Sequence, residues 1–130
     1  MTKIAVRNQH DAARAAMAAR RFAAGLGFNT HNQTLIATAI SELAVNITRY
    51  ADHGHVELDT FERAGRRGFE GIVRDKGPGI ADIPAAMRDG HTQGDSLGMG
   101  LPGVKRMMDE FLLTSEPGKG TTATVRMFLR

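Results

Sequence analysis

Three glycines in the last third of the chain have a spacing that is typical of phosphate-binding loops. Gly98, Gly100 and Gly103 follow the pattern G-x-G-x-x-G within the segment GDSLGMGLPGVKRMMDEF, residues 94–111. Glycines let a backbone approach a ligand closely, and a helix that begins here would direct free N–H groups and the positive end of its dipole at an anion. The segment therefore predicts a phosphate site, although a loop that only turns the chain is the plainer interpretation of these residues alone.

Two common nucleotide-binding motifs do not account for these glycines. The dinucleotide-binding fingerprint needs a strand directly before the first glycine and an acidic residue about 20 residues after it. The polar residues HTQGDS stand there instead, and too little chain follows for a second mononucleotide-binding half. The P-loop pattern fails at GKGTT, residues 118–122, because Gly120 stands where Ser or Thr is required and Leu113 where the first glycine is required.

A carboxylate and an amide lie four residues apart on a predicted helix. Thr30 and Gln33 predict a T-x-x-Q capping box, and apolar residues then recur at helical spacing up to about Ala51. Glu42 and Asn46 therefore share one face of this helix, beside its apolar stripe. Taken alone, both are most simply polar residues on a solvated helix face.

The remaining elements frame these residues. An Ala-rich helix follows the predicted strand at residues 3–7; Asn8 is its predicted N-cap and Gly25 or Gly27 its C-terminal stop, and its small residues predict close packing. A third helix is predicted from Gly103 to about Glu110, with Pro102 near its first turn.

Four segments predict two β-hairpins, and the first two of them alternate between apolar and polar residues. Residues 55–62 and 67–75 flank the turn RAGR, and FLLTS and TTATVRMFL flank EPGKG. Because the strands group into hairpins rather than βαβ units, we expect an α+β fold. Its architecture is a two-layer α/β sandwich with a mixed, mainly antiparallel sheet and helices on one face.

The composition predicts one globular domain over residues 1–130. The chain has 42% hydrophobic and 24% charged residues, and it has no cysteine to serve as a thiolate nucleophile or zinc ligand. Seventeen basic residues against 14 acidic ones, with one Tyr and no Trp, do not favour nucleic acid as a partner. No apolar run approaches the roughly 20 residues that span a bilayer, and the first residues lack the apolar region of a signal peptide. We therefore expect a cytoplasmic protein with no membrane partner.

Four short motifs in one order resemble the GHKL ATPase superfamily, whose members have the Bergerat fold. Glu42 and Asn46 match its N box, and DKGPG (75–79), GMGL (98–101) and GTT (120–122) match its two glycine boxes and closing Gly-Thr. The resemblance covers about residues 30–128. The phrases SELAVNITRYA, DKGPGI and LPGVKRMMDEF are most similar to the anti-sigma and partner-switching serine kinases, and within them to the stressosome switch kinases. Arg49 and Tyr50 stand where anti-sigma kinases more often have a His-Ala pair.

The resemblance implies ATP and Mg²⁺ as cofactors and a role for each matched residue. Asn46 would supply an oxygen to Mg²⁺, and Glu42 would be the catalytic base that takes a proton from the attacking hydroxyl. Asp75 would accept a hydrogen bond from the adenine amino group, although an Asp that starts a turn is the plainer interpretation. The other implied binding residues are Gly77, Gly79 and Ile80 at the base, Gly98 and Gly100 at the phosphates, Leu101 where it steers the following helix, and Thr121 and Thr122 near Asp75. Residues 85–99 would form a lid over the nucleotide, with His91, Thr92 and Ser96 as candidate phosphate contacts.

The function implied by the resemblance is a serine/threonine kinase of a partner-switching module. It would phosphorylate a STAS-domain antagonist or scaffold protein and then activate a PP2C-type phosphatase, and a second copy of the chain is a further candidate partner. The alternative is an anti-sigma factor or a non-catalytic ATP-binding module that sequesters its partner. The presence of both Glu42 and Asn46 favours the kinase.

Overall fold

The computed structural model describes residues 1–80, 86–87 and 100–130, which include five strands and three helices. In chain order these are β1 (Thr2–Val6), α1 (Gln9–Leu26), α2 (Thr30–Tyr50), β2 (Gly54–Arg63), β3 (Arg66–Asp75), α3 (Gly100–Met107), β4 (Glu110–Glu116) and β5 (Gly120–Phe128). This order confirms the predicted grouping of strands into hairpins. No helix within the described ranges is long and apolar enough to cross a membrane.

The five strands form one sheet in the order β1-β2-β3-β5-β4. Every pair of neighbours in it is antiparallel, so the parallel component that a mixed sheet allows is absent from the described strands. The second hairpin joins the first through β5, which makes β3 the central strand. At one end of the sheet Asp75 of β3 is therefore opposite both Gly54 of β2 and Thr121 of β5.

The helices cover one face of this sheet. Side chains alternate along each strand, and the inward residues of β2, β3 and β5, such as Leu58, Phe69 and Val125, are fully buried under α1 and α2. On α1 the buried positions after Asp11 are all alanines, which let α1 and α2 approach closely. The predicted α+β sandwich and the predicted close-packed face of α1 are both confirmed.

The two long helices begin at asparagine caps. The Asp11 N–H donates to Asn8 Oδ1 at 2.8 Å, as predicted, and Gly27 ends α1 in the left-handed region at φ 101°. The capping box predicted for α2 is wrong. Asn29 is its N-cap and accepts from the Asn32 N–H, because its extended backbone lets the side chain reach back to the first turn.

Two further boundaries depend on residues with positive φ. The turn between β2 and β3 is Ala64-Gly65, with φ values of 53° and 80°, the combination of a type I′ hairpin. Helix α3 begins at Gly100, whose φ of 67° marks a sharp change of direction, and it ends at Met107. It therefore starts and stops about three residues earlier than predicted.

Candidate functional site

A cavity of about 370 Å³ lies between α2, the start of α3 and the end of the sheet where β3 stops and β5 begins. This volume is within the range of roughly 300–1,000 Å³ that is usual for small-molecule sites. Its walls are mostly apolar, and its polar side chains come from α2, β3 and β5. The lining residues used below are Leu43, Asn46, Arg49, Tyr50, Val73, Asp75, Gly79, Ile80, Gly100, Leu101, Leu113 and Thr121.

Asp75 and Thr121 form the polar end of the cavity. They are register partners on β3 and β5, and both side chains point to the helix side of the sheet, like Val73 two residues earlier. Asp75 Oδ1 accepts a hydrogen bond from the Gly77 N–H at 2.9 Å, so this residue does start a turn. Because a carboxylate has a second oxygen, Asp75 can serve the turn and the cavity together. Thr122 belongs to the opposite face of β5 by strand alternation and is not among the cavity lining.

The segment that follows β3 is held against the turn between β4 and β5. The Gly118 N–H donates to the Pro78 carbonyl at 2.7 Å, and a side chain at Gly79 would overlap the carbonyl of Glu116. A Cβ at Gly77 would lie 2.6 Å from that of Ala51, at the end of α2. Within the described residues, these glycines permit close contact with the protein itself, and their contact with a base stays a prediction.

A serine that the sequence analysis did not single out connects these parts. Ser115 Oγ accepts from the Ile80 N–H at 2.7 Å, donates to the Gly120 carbonyl at 3.0 Å and lies 2.9 Å from Thr121 Oγ1. The signal that could have found it is a lone polar residue at an inward position of β4, in alternation with Phe111 and Leu113.

One face of α2 forms the other wall. Asn46, Arg49 and Tyr50 all line the cavity, whereas Glu42 lies one turn earlier, is 5% exposed and is not part of the lining. Sequence reasoning did not assign Arg49 and Tyr50 to the site. Their spacing of three and four residues from Asn46 places them on the same helix face and could have indicated them.

Helix α3 begins at the cavity. Gly100 and Leu101 are its first residues and line the wall, so the N-terminal end of α3 adjoins this space. The first four N–H groups of a helix have no partner within it and favour an anion. Gly98 and the predicted lid contacts His91, Thr92 and Ser96 lie outside the described residues.

The described residues contain no group of three or more His, Asp or Glu placed to hold a metal ion. On the wall formed by α2, the oxygen that suits a hard cation is the Asn46 amide. Mg²⁺ commonly takes one or two protein ligands and completes its shell with phosphate oxygens and waters. A single amide oxygen fits this pattern, whereas a metal held by the protein alone would need more ligands.

Comparisons with known proteins show what this chain is similar to. The family model for the histidine kinase-like ATPase domain matches residues 5–128. The serine/threonine-protein kinase RsbT of Bacillus subtilis is 43% identical over 127 residues, which are 98% of this chain and 96% of that protein. The anti-sigma F factor of Halalkalibacterium halodurans is 31% identical over 83% of this chain and 77% of that protein.

A solved structure extends the comparison to the fold. The histidine kinase domain of the Escherichia coli osmosensor EnvZ superposes with a TM-score of 0.50 at 18% identity, and the match covers all of this chain and 89% of the other. At this identity the likeness concerns the fold alone, and it agrees with the predicted Bergerat architecture. The family model that matches residues 5–128 shows that this chain belongs to the histidine kinase-like ATPase domain family.

Proposed function

We propose that this protein is a serine/threonine kinase that transfers the γ-phosphoryl group of Mg-ATP to a hydroxyl of a partner protein. One structural observation carries the proposal: a single cavity is lined by Asp75, Asn46 and the start of α3, with the carboxylate of Glu42 one helical turn away. The 43% identity to a named serine/threonine kinase over nearly the whole of both chains supports the same activity.

The polar end of the cavity fits the base of the nucleotide. Asp75 offers a carboxylate oxygen to an amino group, and Val73, Ile80 and Leu113 offer apolar contact to a flat ring. Such walls, with few and well-placed polar groups, are typical of small-molecule sites. The adenine would therefore lie between the end of β3 and the start of β5.

The opposite wall fits the phosphates and the metal. Asn46 would hold Mg²⁺ through its amide oxygen, Arg49 would add a positive charge, and the N–H groups at Gly100 and Leu101 would face phosphate oxygens. Gly98 keeps its predicted role at the phosphates as part of the proposal.

Glu42 is the proposed catalytic base. Its carboxylate accepts the proton of the partner's hydroxyl while the hydroxyl oxygen forms its bond to phosphorus. Bound ATP supplies the phosphoryl group, and the bond to the departing ADP oxygen breaks.

The partner is proposed from the family resemblance. We propose a STAS-domain antagonist or scaffold protein as the substrate and a PP2C-type phosphatase as a second partner that the released kinase activates. A phosphate of nearly two negative charges at an interface can separate two proteins by repulsion and desolvation. That gives the switch a physical basis.

An anti-sigma factor is the second candidate function. The identity of 31% to an anti-sigma F factor over 83% of the chain favours it. Extract from the source cell, incubated with the tagged protein and radiolabelled ATP, separates the two. A labelled STAS protein supports the switch kinase, whereas capture of an unlabelled sigma factor in its place supports the alternative.

Glu42→Gln tests the chemistry directly. We expect this variant to bind Mg-ATP within about twofold of wild type, while transfer to a purified STAS protein falls by about 10²- to 10⁴-fold. Asn46→Ala is expected to weaken binding only when Mg²⁺ is present. Glu62→Gln, an exposed carboxylate at the far end of β2, is the matched control and should leave both measurements unchanged. Phosphoryl transfer at the wild-type rate by a folded Glu42→Gln protein would show that Glu42 is not the catalytic base.

A further inference from the structure

Ser115 has three hydrogen-bond partners, and when all three bonds form together their chemistry sets the direction of each. The Gly120 carbonyl can only accept, so the single Ser115 hydroxyl proton goes to it. The Ile80 N–H can only donate, so it uses one lone pair of Ser115. The bond to Thr121 Oγ1 therefore needs Thr121 as the donor, since Ser115 has no second proton to give.

This arrangement determines what Thr121 presents to the cavity. Its proton is committed to Ser115, so only its lone pairs remain for a ligand. Asp75, its register partner, presents carboxylate oxygens beside it, because directly opposed strand residues have Cβ atoms about 5 Å apart. The polar end of the cavity therefore presents two neighbouring acceptors.

Two of the nearby backbone donors are already used within the protein. The Gly77 N–H is bonded to Asp75, the Ile80 N–H is bonded to Ser115, and Pro78 has no N–H. At Asp75 and Thr121, a ligand that fits must bring the protons itself. An amino group on an aromatic ring carries two, one for each acceptor, whereas a carbonyl oxygen at the same position would face lone pairs.

We propose that Ser115 is a specificity-determining positioning residue, which holds the Thr121 hydroxyl as an acceptor and so makes the site select a 6-amino over a 6-oxo purine. The inference rests on the proposed nucleotide-binding function. Ser115 acts through Thr121 on the choice of base, and through the Ile80 N–H on the position of the cavity wall that contacts any base.

The test compares the dissociation constants of Mg-ATP and Mg-ITP, measured by titration calorimetry on the full chain. ITP carries an oxygen where ATP carries the amino group. In Ser115→Ala the freed Thr121 hydroxyl can rotate and donate to that oxygen, so the ratio of the ITP constant to the ATP constant should fall about three- to tenfold, the effect of one neutral hydrogen bond. Loss of the Ile80 anchor should weaken both nucleotides by a common factor. Ser115→Thr, which keeps the hydroxyl, should restore the ratio.

Thr121→Val changes the ratio of the ITP constant to the ATP constant in a direction that depends on whether Thr121 accepts or donates a hydrogen bond. If Thr121 is an acceptor, removing it relieves the repulsion of the ITP oxygen, and the ratio falls. If Thr121 is a donor, the ratio rises, which would overturn the inference. The double variant Ser115→Ala/Thr121→Val should have the same ratio as Thr121→Val alone, because Ser115 then has no hydroxyl to orient. These arms keep the inference testable even where Ser115→Ala alone does not fold.

Thr114→Ala is the matched control. It also removes a hydroxyl from β4, but this hydroxyl bonds the Thr122 carbonyl on the outer face of the sheet, at 3.4 Å. Both constants should stay within twofold of wild type. If Ser115→Ala weakens ATP and ITP equally, Ser115 is only structural and the inference is wrong while the proposed function stands. If the wild-type protein binds neither nucleotide, both fail.

Discussion

Gly118 and Gly120 share a left-handed backbone but differ in their surroundings. Their φ values are 79° and 95°; a Cβ at Gly118 would meet open space, whereas one at Gly120 would overlap the carbonyl of Asp75. We expect Gly118→Ala to lower the free energy of unfolding by about 1 kcal/mol, the cost of the backbone conformation alone. Gly120→Ala adds overpacking against the backbone and should cost about 3 kcal/mol or more. Urea unfolding of both variants measures the difference.

The same pair of variants also tests how the site is supported. Gly120 approaches the backbone of Asp75, so a folded Gly120→Ala protein should bind Mg-ATP more weakly than Gly118→Ala. Equal losses of stability in the two variants would show that conformation rather than space makes glycine necessary at Gly120.

Single residues of the site differ in how far the sequence could identify them. Glu42 and Asn46 follow from helical spacing, and Asp75 from its place at the end of an apolar strand. The role of Ser115 could not be predicted, because its contacts with Ile80 and Thr121 depend on how the end of β3 lies against the second hairpin. Helical spacing predicted that Glu42 shares a face with Asn46, but not that Glu42 would be buried behind the cavity wall.

The start of α2 shows how closely two capping solutions can compete. Asn29 and Thr30 are both good capping residues, and the pattern of Thr30 with Gln33 favoured the later start. In the structure Gln33 donates instead to the Phe28 carbonyl at 2.8 Å, and the helix begins one residue after Asn29. The sequence predicted the existence of each helix, but ends that depend on one or two hydrogen bonds were not predictable to the residue.

Asn29→Ala and Thr30→Ala test this assignment at the level of the element. Asn29→Ala removes the acceptor of the Asn32 N–H and should lower the free energy of unfolding by about 1 kcal/mol. Thr30→Ala leaves that hydrogen bond in place and should change stability by less than about 0.5 kcal/mol. Thermal or urea unfolding measures both. A larger loss of unfolding free energy in Thr30→Ala than in Asn29→Ala would indicate that Thr30 is the N-cap of α2.

The sequence patterns did not predict the order of strands across the whole sheet. Both strands of the second hairpin contain apolar residues, so the sequence did not show which of them pairs with β3. In the structure β5 has three buried inward residues, Ala123, Val125 and Met127, whereas β4 is the edge strand and has none that is fully buried. The layer architecture follows from hairpins and amphipathic helices, but the joining of hairpins depends on contacts that form only in the complete fold.

The outer face of the sheet joins its strands through charged side chains, and this predicts how the molecule responds to acid. Glu110 on β4 forms ion pairs with Arg63 on β2 and with Arg126 on β5, and the hydrogen bond from Arg63 is the main reason that the pKa of Glu110 is lowered. A carboxyl whose pKa is lower in the folded state stabilises the fold above its unfolded pKa of about 4.5, and this contribution is lost as the pH falls through the folded value.

We expect the free energy of unfolding to fall less between pH 6 and pH 3 in Glu110→Gln than in wild type, and the difference to shrink in 1 M salt. Glu62→Gln, an exposed carboxylate on β2, should follow the wild-type curve. If the Glu110→Gln curve also runs parallel to wild type, the network contributes nothing to stability, as many exposed ion pairs do not.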